Sequence, residues 1–114
     1  MPKLDPYLTF DGTCAEAFRF YEKVIGGKIE ALLTFGSSPM AGQLPASHAD
    51  RIMHAKLRLD GGVLMGADAV PGHPYEGIKG ITLALDYPTV AEAHATFAAL
   101  AEGGSVRMPI EKSF

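Results

Sequence analysis

The sequence predicts an α+β domain, and three features of it carry the prediction. Two helix signals share one design, each is preceded by a short alternating run, and the first is followed by three further alternating runs separated by turn residues. Each helix signal opens on a Thr-x-x-Glu box, Thr13 with Glu16 and Thr89 with Glu92, in which the two side chains can satisfy each other's backbone N–H groups. Apolar residues then recur at helical spacing: Ala17, Phe18, Tyr21, Val24 and Ile25 in the first, Val90, Ala93, Phe97, Leu100 and Ala101 in the second. Each helix is therefore expected to bury one face. Both stop at a double glycine, Gly26-Gly27 and Gly103-Gly104, where a residue without Cβ takes a left-handed cap.

The strands follow from period-2 alternation. Residues 7–10 and 81–85 precede the helices, and matching Leu8 and Phe10 to Leu83 and Leu85 puts these under the helices. Asp5, Tyr7 and Thr9, with Gly80, Thr82 and Ala84, then face the other side of the sheet. Residues 28–35, 51–59 and 63–68 read as three more strands, the last two joined by the turn Asp60-Gly61-Gly62. The first unit thus reads β-α-β-β-β. Between its second and third strands, residues 36–50 form a long Gly-, Ser- and Pro-containing loop that carries Met40 and Leu44, either a lid or a plain connector.

A chain of 114 residues that is 47% hydrophobic makes one domain, since domains run to about 100–200 residues. Ten basic residues against thirteen acidic ones, net −3, with no block of one sign, argue against a nucleic-acid surface. The lone Cys14 cannot make an internal disulfide and Asn is absent, so a reducing cytoplasm is the expected compartment. No run approaches the ~20 apolar residues that span a bilayer. There is no Gly-x-Gly-x-x-Gly, phosphate-binding loop or Gly-x-Ser-x-Gly, and so no legible nucleotide or methyl-donor site.

The segments Pro6-Tyr7-Leu8-Thr9-Phe10-Asp11-Gly12, Glu16-Ala17-Phe18-Arg19-Phe20-Tyr21, Arg51-Ile52-Met53-His54-Ala55 and Leu64-Met65-Gly66-Ala67-Asp68 resemble, in this order, the vicinal-oxygen-chelate superfamily. That superfamily holds glyoxalases, bleomycin-resistance proteins and dioxygenases, and the likeness is to its PhnB-like branch of small bacterial proteins. The resemblance implies paired βαβββ modules whose curved mixed sheets enclose a cavity, here a first module over residues 1–70 and a partial second over 78–114. The second runs out after one more strand at 105–114, so a homodimer partner or further sequence is expected to close the gap. The resemblance also implies four inward metal-ligand positions. Three fall at Asp5 (Pro6 if the alignment slips by one), Met65 and Gly80 and the fourth beyond Phe114, which leaves at most one hard-cation donor and predicts no metal and no cofactor.

His54 is the candidate catalytic residue, an imidazole at mid-strand that shares a face with Ile52, Lys56 and Arg58, opposite Met53, Ala55, Leu57 and Leu59. The plainer alternative is a strand histidine satisfied by Asp68 across the hairpin. Tyr7, Thr9, His54, Met65 and Asp68 are the candidate ligand-binding set, although the inward face of residues 63–68 stays open between Val63, Met65, Ala67 and Leu64, Gly66, Asp68. Lys56 and Arg58 either attract an anion or form a solvated edge. Cys14 reads as a packing residue at a helix start, with a reactive thiolate as the alternative. The leading expectation is a metal-independent small-molecule binding protein. The competing ones are a lyase, isomerase or dioxygenase with a rearranged metal set including Asp5 and His54, and a purely structural dimer.

Overall fold

The computed structural model describes residues 2–39, 42, 46–70 and 72–110, which fall into two compact units, Met1–Ile81 and Thr82–Phe114. In the first, β1 (Tyr7–Phe10), α1 (Cys14–Ile25), β2 (Lys28–Thr34), β3 (Ile52–Leu59) and β4 (Gly62–Asp68) follow one another along the chain. The curved sheet has the order β1-β4-β3-β2, with β1 parallel to β4 and the other pairs antiparallel. The crossover through α1 is what lets β1 lie parallel to the last strand, because a tight hairpin joins only antiparallel neighbours.

α1 seals one face of this sheet. Its Cys14 and Phe18 are fully buried against Leu8, Phe10, Ile52, Ala55, Leu57 and Leu64. The Phe18 ring meets Phe10 edge-on at 6.2 Å, and burying a side chain of this size is worth about 1.5–3 kcal/mol. The ring fits because β4 passes beneath it at Gly66, where a Cβ would stand 2.9 Å from both Phe18 Cε1 and the Leu8 carbonyl oxygen. α1 stops where expected, at Gly26 (φ 93°) and Gly27 (φ 86°), and a side chain at Gly27 would strike the Arg58 carbonyl. The Glu22 carboxylate accepts the Ile29 N–H at 2.7 Å, which fixes the turn from α1 into β2.

Four expectations are corrected. Thr13 is the N-cap of α1, but its side chain makes no capping bond. The N–H groups there go instead to Asp68, whose Oδ1 accepts from Gly12 at 2.7 Å and Cys14 at 3.1 Å. Ile52 does not share a face with His54. A break in the β2–β3 register leaves Met53 without a partner, since Leu33 pairs with His54 and Thr34 with Ile52, and this bulge turns Ile52 into the core. The expected strands at 81–85 and 105–114 are absent among the described residues. Alternation supplies an apolar face but no partner for the backbone N–H and C=O groups, and Leu83 and Leu85 are exposed rather than under a helix. Finally, α2 (Val90–Ala101) in the second unit has no buried residue. Its own box does form: Thr89 Oγ1 accepts the Glu92 N–H at 3.2 Å, while the Glu92 carboxylate takes the Thr89 hydroxyl rather than its backbone.

The base of the 36–50 loop is pinned, with Phe35 N–H donating to Arg51 O and Gly36 N–H to Ala49 O, both at 2.9 Å. Met40 and Leu44, expected on a lid, lie outside the described residues. No helix is long and apolar enough to cross a membrane among the described residues.

Candidate functional site

The site lies on the sheet face opposite α1. Tyr7 and Thr9 alternate with the buried Leu8 and Phe10 and so point away from the helix. Pairing carries that face across the sheet, because Tyr7 is in register with Met65 and Met65 with Lys56. Thr9 is opposite Ala67, which resolves the open choice on β4: Val63, Met65 and Ala67 share the side of Tyr7, and Leu64, Gly66 and Asp68 the side of α1.

Two of the expected residues meet directly. The Tyr7 hydroxyl and His54 Nδ1 are 3.2 Å apart, their rings tilted at 33° with centroids 5.9 Å apart. They reach each other over β4, and the pairing of Ala55 with Gly66, continued by one residue, sets the small Ala67 between their strands. A bulky residue there would part them. Burial raises the Tyr7 phenol above its ordinary value, with the nearby Cys14 sulfur adding to the effect, so it stays a neutral hydroxyl. The pair then always presents a donor. Either the phenol donates to Nδ1 and Nε2–H points outward, or Nδ1–H donates to the phenol oxygen and the hydroxyl proton is free.

Met65 lies beside Tyr7 and offers an adaptable apolar contact. Thr9 and Tyr7 also line a cleft of about 550 Å³ along β1, whose other wall is drawn from residues 74–81, including Tyr75, Ile78 and Lys79. His54 and Met65 are not among the residues that line this cleft. Asp68 is apart from both. It is 3% exposed, on the α1 side, and its Oδ2 accepts the Ile52 N–H at 2.7 Å in addition to the two bonds at the start of α1. It does not pair with His54; it ties β4, β3 and α1 together. Cys14, fully buried, is pushed up to about 12 by desolvation and by the Asp68 charge, and is a packing thiol.

Sequence reasoning missed Glu30. It stands at a second break in the β2–β3 register, between Ile29 and Ala31, and joins Arg58 at 2.6 Å and Lys56 at 3.6 Å. Simple alternation gives no hint of a bulge, but the charges of Lys56 and Arg58 on one face were a reason to seek an acid on the neighbouring strand. The Arg58 hydrogen bond holds the Glu30 carboxyl below its usual range.

Of the three expected metal-ligand positions, one carries a hard-cation donor. Asp5 lies 3.6 Å from the Lys3 ammonium, Met65 offers a thioether in register with Tyr7, and Gly80 has no donor. Among the described residues no three His, Cys, Asp or Glu side chains gather.

A mixed sheet sealed by one helix, with hydroxyl, imidazole, thioether and ammonium groups on its free face, defines an α+β module of the glyoxalase type. The family model of the Glyoxalase/Bleomycin resistance protein/Dioxygenase superfamily matches residues 3–114, and the chain belongs to that superfamily. Among curated proteins it is 31% identical to Protein YjdN of Escherichia coli (strain K12), over 97% of this chain and 80% of that protein. Among solved structures it is similar to protein PA1353 from Pseudomonas aeruginosa, at 47% identity and TM-score 0.90, covering 99% of this chain and 82% of that one. A protein from Bacillus cereus described as a putative 3-demethylubiquinone-9 3-methyltransferase, PhnB protein, shares the fold at TM-score 0.74 and 24% identity, over 95% of this chain and 80% of that one.

Proposed function

We propose that the chain is a metal-independent small-molecule binding protein of the glyoxalase/bleomycin-resistance type, whose ligand is held on the open face by Tyr7, His54 and Met65, with Thr9 at the cleft. The observation that supports this is the Tyr7–His54 contact of 3.2 Å, a donor pair built from two strands and left on the side that α1 does not cover. A ligand carbonyl or hydroxyl oxygen takes the outward donor while its apolar part lies on Met65. The apolar residues of the unpaired segment 81–85 are what a second copy would cover in a homodimer.

The test is a saturation-transfer NMR screen of small carbonyl- and hydroxyl-bearing compounds, repeated with Tyr7→Phe and His54→Ala. Each substitution removes one side of the donor pair and is expected to weaken hits by about fivefold to tenfold, the worth of a hydrogen bond. Unchanged affinities in both variants would refute the assignment of this face. Elemental analysis of protein purified without chelators completes the test. Near-stoichiometric Ni, Zn, Mn, Fe or Co would overturn metal independence, and hits whose affinity survives dialysis against EDTA support it.

A further inference from the structure

Resting on that reading, we propose that the ligand is a carboxylate-bearing monoanion, with the Lys56 ammonium as its charge contact beside the Tyr7–His54 pair. Among the described residues, Lys56 and Arg58 share the carboxylate of Glu30 on the neighbouring strand, while Asp5, before β1, is paired with Lys3 at 3.6 Å, in a chain whose net charge is −3. Glu30 holds Arg58 more closely than Lys56: the guanidinium Nε donates to Glu30 Oε2 at 2.6 Å, whereas the Lys56 ion pair spans 3.6 Å from Nζ to Oε1. Both cations contact this one carboxylate, so the three groups carry a net charge of +1, and the Lys56 ammonium, the more distant partner, keeps N–H donors for a ligand.

That charge lies where a ligand on the proposed face would meet it. Lys56 pairs with Met65 and Met65 with Tyr7, so the three form one row across the sheet, and His54 precedes Lys56 by two residues on the same face of β3. Same-face neighbours on a strand are about 7 Å apart, within the reach of a lysine side chain. One carboxylate oxygen meets Nζ and the other the outward donor of the Tyr7–His54 pair. The net charge of +1 on Lys56, Arg58 and Glu30 together matches a monoanion, whereas a phosphate dianion would leave one negative charge without a partner.

The experiment titrates the chain at low ionic strength with benzoate and with its neutral isostere benzamide, following the Met65 methyl and His54 ring signals by NMR. Wild type is expected to prefer benzoate by about tenfold, the scale of a charge-assisted hydrogen bond. Lys56→Met keeps the aliphatic stem and should abolish the preference, whereas Glu30→Gln frees a second cation and should strengthen benzoate but not benzamide. Circular dichroism checks that both variants are folded. Equal binding of the two probes at these signals, or a preference that survives Lys56→Met, overturns the monoanion and leaves the binding face in place. Movement of neither signal by either probe overturns both.

Discussion

Replacing Asp68 by Ala removes a carboxylate that accepts three backbone N–H groups, from Gly12, Cys14 and Ile52, at 2.7, 3.1 and 2.7 Å. Thr13, the N-cap residue, makes no side-chain bond of its own there. The bonds to Cys14 and Ile52 are buried and that to Gly12 is partly so, and water can reach only the last. With about 1–3 kcal/mol for each stranded buried donor, the expected loss is about 2–6 kcal/mol, a large share of a typical stability of about 5–15 kcal/mol. Urea unfolding followed by far-UV circular dichroism reads this as a midpoint lowered by roughly 1–3 M at an unchanged slope. Asp68→Asn keeps one oxygen for Gly12 and Cys14 but turns an NH₂ toward the Ile52 N–H, and should fall between Ala and wild type. An Ala variant with the wild-type midpoint, or an Asn variant no better than Ala, would refute the reasoning.

Other outcomes follow from the same packing. Gly66→Ala drives a methyl to within 2.9 Å of Phe18 and the Leu8 carbonyl, and overpacking of this kind costs about 1–3 kcal/mol, read as a Tm several degrees lower in a thermal melt. Thr89→Ala removes a capping bond and should cost α2 about 1 kcal/mol, seen as lost helical ellipticity, whereas Thr13→Ala should leave α1 unchanged. The Cys14 thiol, at about 12 when folded and near 9.0 when unfolded, stays protonated between these values while the unfolded chain loses its proton. Stability therefore falls as pH rises from 9 toward 12, by up to about 1.4 kcal/mol per pH unit. Urea midpoints at pH 8, 9 and 10 should show a slope that Cys14→Ala flattens, and an unchanged slope in that variant would be the contrary result.

The local design of the first unit was legible. Alternation placed Tyr7 and Thr9 opposite Leu8 and Phe10, helical spacing put Phe18 and Tyr21 on one side of α1, and the glycine pair ended the helix. These features depend on periods of two and of 3.6 residues, and each is complete within a dozen positions. The site was partly legible for the same reason. Its members on β1 and β3 could be assigned to a face, but the 47-residue separation of Tyr7 and His54 hid their contact.

What the sequence by itself determined is thus the set of elements in the first unit, their apolar faces, and the residue types gathered on the free side of the sheet. Only the tertiary structure decided how distant groups are paired. It gave the cap of α1 to Asp68 rather than Thr13, because a buried carboxylate brought in by β4 reaches three N–H groups at once. It shifted the register at Met53 and Glu30, sending Ile52 into the core and Glu30 to Arg58. It left 81–85 without ladder bonds, because a strand exists only through a neighbour, and no pattern within the segment can supply one.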